Sequence, residues 1–226
     1  MSSVIATGYR SSIGKKAVMA VSGGVLVLFL IGHMIGNLKI FFGAETFNGY
    51  SAWLRTMGEP AVPYRTVLTL IEIVLAVSVV AHIWSAALLA ARAHRARPVR
   101  YRHRARVRRS YSSRTMRWGG PIIALYVIYH LLDLTFGVAN PAGTGAGPYA
   151  RVVGGFQHWW IALIYVLAVI LVGVHMRHGI WSAAATLGLN GKGHERGLNV
   201  LAVTVSTVIT VGFAVVPLAV LIGLVN

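Results

Sequence analysis

Cysteine is absent from the 226 residues and acidic residues nearly so, with five Asp and Glu against 21 Lys and Arg. Without thiols there is no disulfide, no thiolate zinc site, no cysteine-held iron–sulfur cluster, no Cys-x-x-Cys-His haem attachment and no thiol catalysis. Glu72 and Asp133 are the only acids inside apolar stretches, too few for a carboxylate-rich metal centre. Strict residue-by-residue alternation is also missing, which excludes the strands of a membrane β-barrel. No apolar stretch carries the unwound Pro/Gly break of a transporter site at mid-span, and Pro217 alone is a poor substitute. A transporter with histidine and acid proton relays is thereby the weakest reading of the chain.

What is present is hydrophobicity and positive charge, kept apart. The chain is 56% hydrophobic with a formal charge of +16, and its mean hydropathy is +0.69. A soluble domain does not combine these values. Five apolar stretches can be drawn, at about 17–42, 64–91, 118–138, 159–187 and 198–225. Each is long enough for the roughly 20 helical residues that cross a hydrocarbon core. A lipid-exposed backbone must satisfy its own hydrogen bonds, so the expected fold is all-α, a polytopic membrane protein of five transmembrane helices in one domain. The first stretch follows Arg10, Lys15 and Lys16 but lacks a small-residue cleavage site and is too long for a signal peptide, so it reads as an uncleaved span.

Basic residues set the orientation. The 92–117 loop holds eleven arginines and no acid, whereas the loops at 43–63 and 139–156 hold Arg55 and Arg151 against Glu45 and Glu59. The arginine loop is expected in the cytoplasm, with the N-terminus and the 188–197 loop (Lys192, Arg196) on the same side and the C-terminus outside. Its place between two spans explains the charge better than nucleic-acid binding does. Anionic headgroups and a cytoplasmic partner are the contacts it suits.

Five of the nine histidines fall within spans: His33, His82, His130, His175 and His178. Ionisable groups cost several kcal/mol at mid-membrane unless they are used or satisfied, so the set is a functional signal. Counted from the outer ends at about 1.5 Å per residue, His33 and His130 lie at about 12–14 Å, while His82 and His175 both lie at about 27 Å. The spacing predicts two facing pairs on four helices. Two imidazoles approaching from opposite sides are what a six-coordinate haem iron needs in a helical bundle, and such an iron transfers electrons without a vacant position for other chemistry. Two b-type haems are the expected cofactors. Gly23, Gly24, Gly32, Gly36, Gly173 and Gly179 flank these histidines, and they either leave room for a flat macrocycle or let helices pack closely. A faint repeat places Ile83-Trp84-Ser85-Ala86-Ala87 over Ile180-Trp181-Ser182-Ala183-Ala184 and His33 over His130. By that register His178 lies nearer the counterpart of His82 than His175 does, so spacing alone leaves both open as ligands.

Gly32-His33-Met34-x-Gly36-Asn37, His82, His130 and His175-x-x-His178-Gly179-x-Trp181-Ser182 before Thr186-Leu187-Gly188 together resemble the single-chain, five-helix, di-haem cytochrome b subunit of succinate dehydrogenase and fumarate reductase. The resemblance spans nearly the whole chain. It implies a membrane anchor in the bacterial cytoplasmic membrane that holds a flavoprotein and an iron–sulfur protein on the cytoplasmic face. Electrons from succinate would pass through a proximal and a distal haem to a quinone, commonly menaquinone. The resemblance assigns His82 and His175 to the proximal haem and His33 and His130 to the distal one, with Arg177 and His178 toward haem propionates. Some fumarate-reducing relatives carry a glutamate two residues before the fourth-span ligand as part of a proton path; this chain has Gly173 there. An anchor of another respiratory dehydrogenase, for formate or hydrogen, is the alternative.

Quinone reduction consumes two protons, so ionisable or hydroxyl groups near a haem edge are candidates. Glu72, Asp133, Glu59 and Arg55 qualify in or near the outer half. Trp84, Ser85 and Trp181 qualify on the cytoplasmic side. Internal hydrogen bonding and ordinary loop charge are the simpler readings of the outer four.

Overall fold

The computed structural model describes residues 11–96, 111–189, 191 and 193–226, without the side chains of 111–115 and 117. Arg10, the centre of the arginine loop (97–110) and Lys192 lie outside the described residues. The regular structure described is helical throughout. In order come α1 (Ser12–Leu38), a 3₁₀ turn (Lys39–Phe42), α2 (Gly43–Thr56), α3 (Thr66–Arg95), α4 (Tyr111–His130), a π turn (Leu131–Thr135), α5 (Pro148–Phe156), α6 (Trp159–Thr186) and α7 (Glu195–Leu221).

Four segments among the described residues are long and apolar enough to cross a membrane: Ser12–Thr56, Thr66–Arg95, Trp159–Thr186 and Glu195–Leu221. The stretch at 118–138 is different. Its helix α4 has 20 residues, includes Arg114 and Arg117, carries Pro121 in its interior and passes into the π turn. The arginine loop is also shorter than its composition suggested, because α3 continues to Arg95 and α4 begins at Tyr111. Arginine is a good helix former, and Arg92, His94 and Arg95 in the last turn of α3 sit favourably against the helix dipole.

Local chemistry sets the ends. Ser11 caps α1, its side chain accepting from the Gly14 amide at 2.9 Å. Pro148 opens α5, where its missing N–H costs nothing. α6 closes on Gly188, at φ +77, with the Leu189 amide donating to Ala184 at 2.9 Å and the Gly188 amide to Ala185 at 3.3 Å. That left-handed position is one a side chain would resist. Gly223 ends α7 in the same way, with Leu224 donating to Ala219 at 2.8 Å.

The short helices α2 and α5 occupy the segments read from sequence as plain outer loops. Both are too short to span, and their apolar residues close one end of the bundle: Phe47, Val152, Val153 and Phe156 pack with Ile161, Val216 and Val220. Among the spans, α6 packs most extensively on α7 and α1 on α3, while α1 also lies along α6 and α7, and α4 along α6. α6 is the most buried of the apolar spans and α3 the least. The α6–α7 contact is close because Gly173 has no side chain; a Cβ there would run into Thr210, whose hydroxyl donates to the Ser206 carbonyl at 2.7 Å. Gly173→Ala is expected to destabilise the protein by about 1–3 kcal/mol. In a double-mutant cycle with Thr210→Ala, followed by thermal unfolding in detergent, most of that cost should disappear.

Candidate functional site

The four histidines anticipated as pairs do meet. His33 on α1 and His130 on α4 have ring centroids 5.9 Å apart. His82 on α3 and His175 on α6 have centroids 6.1 Å apart. A metal ion between two imidazoles lies about 2 Å from each nitrogen, itself about 1 Å from its ring centre, so roughly 6 Å is the separation of two axial ligands. Of the two histidines left open on α6, His175 is the one that reaches His82. His178 is partly buried one turn on, and Arg177 is exposed.

The helices bearing each pair are telling. Among the described residues α1 and α4 hardly approach each other along their backbones, and the same is true of α3 and α6. Each pair of imidazoles therefore meets between two helices whose backbones do not pack closely on each other. The protein gives these rings little other reason to be buried: Nδ1 of His130 and Nδ1 of His175 are enclosed without a hydrogen-bond partner among the described residues. His82 is held differently. Its Nδ1 lies 3.1 Å from the Met19 carbonyl and 3.4 Å from the Ser22 hydroxyl. A carbonyl only accepts, so Nδ1 carries the proton and Nε2 keeps its lone pair, the arrangement that orients a ligating histidine.

The flanking glycines divide into two groups. A Cβ on Gly23 would sit 3.2 Å from the His82 ring, and one on Gly36 would sit 2.7 Å from the Tyr50 ring, so these two, like Gly173, are used by the protein itself. Gly24, Gly32 and Gly179 have nothing within 4 Å of the corresponding point. Among the described residues no group of three or more His, Asp or Glu converges as a non-haem centre would require. Facing rings on helices that do not otherwise pack together and a fixed tautomer at His82 fit a flat group ligated from both faces.

Levels along α1 follow from these contacts. His82 is level with Met19 and Ser22, and His33 lies 11 to 14 residues further on. At 1.5 Å per residue the two pairs are separated by about 16–21 Å along the bundle. Both levels fit within the thickness of a hydrocarbon core, about 30 Å.

The outer candidates are engaged within the protein. Asp133, in the π turn, is fully buried, and its Oδ1 and Oδ2 accept from Asn140 Nδ2 at 2.6 Å and the Tyr165 hydroxyl at 2.7 Å. Glu72 pairs with Arg65 at 3.0 Å on the exposed surface of α3. Arg55 donates to the Ser51 hydroxyl at 2.9 Å, and Glu59 is exposed in the α2–α3 loop. On the other side Ser85 is fully buried with its hydroxyl unpartnered among the described residues, while Trp84 and Trp181 are exposed.

Several contributors were invisible in the sequence reading. Ser22 precedes His33 by 11 residues, about three helical turns, so the α1 periodicity held a signal for it. Asn140 and Arg151 had none, being in irregular or short segments. Arg151 donates to the carbonyls of Thr135 at 2.7 Å and Thr144 at 2.6 Å, holding the loop that follows the π turn.

A multi-pass membrane protein with paired intramembrane histidines is thus the class that fold and site define. The model of the succinate dehydrogenase/fumarate reductase transmembrane subunit family matches residues 92–214, more than half of the chain, and the chain belongs to that family. No curated protein and no solved structure matches it. The family is the membrane-embedded part of a complex with flavoprotein and iron–sulfur subunits, and its members typically bind haem b. The matched region contains His130 and His175 but stops short of His33 and His82.

Asn140 ties the outer end together, since it also donates to the Arg151 carbonyl at 3.1 Å and accepts from the Ala142 amide at 2.9 Å. Asn140→Ala should destabilise the protein by about 3 kcal/mol by leaving buried partners unsatisfied, read as a lowered unfolding temperature in detergent.

Proposed function

We propose that this chain is the single-chain, five-helix, di-haem type of membrane subunit, carrying electrons from the iron–sulfur subunit of a succinate:menaquinone oxidoreductase to menaquinone. The observation that carries the reading is that two histidine pairs, at separate levels, each join two helices that otherwise stand apart. His82 and His175 would hold the proximal haem and His33 and His130 the distal one. A haem b ligated on both faces supplies a one-electron iron couple with no vacant coordination position.

The chain's own residues do the rest. Met19 and Ser22 hold the His82 ring through Nδ1 and leave Nε2 free to ligate. Gly23 gives that ring its room. Ser85, a buried hydroxyl three residues beyond His82 without a partner among the described residues, is suited to donate to a propionate or a quinone oxygen, with Arg177 and His178 nearer the cytoplasmic surface. The arginine loop and the N-terminus face the cytoplasm, where basic charge suits both the iron–sulfur partner and anionic lipid. This orientation places α4 as a fifth span in a bacterial cytoplasmic membrane. Its polar start then lies at the headgroups, and its apolar part, Trp118 to the π turn, crosses the hydrocarbon.

Purified with its haems, the protein should show a low-spin b-type spectrum and two haems per chain by pyridine haemochrome assay. His82→Ala and His130→Ala should each remove one haem and leave the other's reduced-minus-oxidised band. A haem-free protein from haem-replete cells would refute the reading; loss of both haems from either change in an assembled protein would refute two separable sites.

A further inference from the structure

Asp133 is the only aspartate in the chain, and its surroundings are unusual for a carboxylate at this depth. It is 0% exposed, yet no cation pairs with it among the described residues. Arg151, on the neighbouring helix α5, directs its guanidinium at the carbonyls of Leu134, Thr135 and Thr144 instead. A buried charge without a counter-ion is normally expensive enough to be avoided.

The hydrogen bonds nevertheless describe a carboxylate. The orientation of the Asn140 amide is fixed by two other partners: its oxygen accepts from the Ala142 amide, and its nitrogen donates to the Arg151 carbonyl. Nδ2 therefore donates to Asp133 Oδ1, and the Tyr165 hydroxyl is left to serve Oδ2. Both oxygens are acceptors, each through a short bond of 2.6 or 2.7 Å, as suits an ionised group.

The same Tyr165 ring lies 5.9 Å from His130, and Asp133 follows His130 by three residues in the π turn, whose 2.8 Å bond from the Phe136 amide to Leu131 marks the local change of register. Such turns recur at functional sites because they re-aim side chains. We infer that Asp133 is an ionised, buried counter-charge for the oxidised haem held by His33 and His130, lowering that haem's reduction potential. The inference rests on the haem reading above. Ferric haem carries one more positive charge than ferrous haem, so a fixed negative charge nearby favours the oxidised form. Asn140 and Tyr165 supply a donor to each carboxylate oxygen where, among the described residues, no lysine or arginine pairs with it.

Redox titration of the intact, haem-loaded protein tests this. In Asp133→Asn the potential of one haem should rise by at least tenfold in its reduction equilibrium, about 59 mV for one electron, while the other stays unchanged. Two haems present and neither potential raised would overturn the inference alone. Fewer than two haems in the unmodified protein would overturn the haem reading and this inference with it. Should Asp133→Asn fail to assemble, infrared redox-difference spectra of the unmodified full chain with ¹³C-carboxyl aspartate report on this one side chain. A carboxylate stretch in the oxidised state supports the assignment, and a protonated carbonyl stretch there overturns it.

Discussion

An imidazole inside hydrocarbon must have something to do. Water is not there to solvate it, and a helix satisfies its own backbone without offering spare partners. Four such rings, two by two, impose a requirement that the rest of this structure answers. The helices carrying each pair are held at a distance by their other neighbours, so that α1 meets α3, α6 and α7, and α6 meets α4 and α7, while the partners across each histidine pair stay apart. Packing elsewhere sets these separations, and small residues do part of that work: Gly173 brings α7 tightly against α6, and Gly36 seats the Tyr50 ring of α2 against α1.

Helix α6 has the largest share in this arrangement. It presents His175 at one level and Tyr165, ten residues earlier, at the other, where the phenol joins Asp133 to the rings of His130, Tyr126 and Phe156. A single rigid rod therefore contributes to both levels. The end of the bundle nearer His33 and His130 is additionally closed by α2 and α5, whose apolar faces cover the ends of α6 and α7.

The histidine levels were legible in the sequence because two properties are regular there: the rise of a helix and the approximate length of a span. Counting residues from the ends was enough to pair His33 with His130 and His82 with His175. The choice between His175 and His178 was not open to counting, since three residues on one helix face differ by little in height, and the distinction rests on how α3 and α6 are turned toward each other. The short helices α2 and α5 were missed because their apolar residues are few and interleaved with glycine and polar residues, a pattern that reads as loop. The polar clasp of Asn140, Tyr165 and Asp133 joins three segments distant in sequence, and no local spacing announces it. The glycines beside the histidines could not be divided into those that receive a neighbouring side chain and those facing open space until the neighbours were in place.

Each facing pair draws one ring from the first 96 residues and the other from beyond residue 110. A ribosome that has delivered α1 and α3 to the membrane has made two half-sites and no complete one; the outer pair closes when α4 arrives and the inner one only with α6. Under the proposed di-haem reading, cofactor capture would be tied to the late stages of insertion, and a group bound between the rings would staple the early half of the chain to the late half.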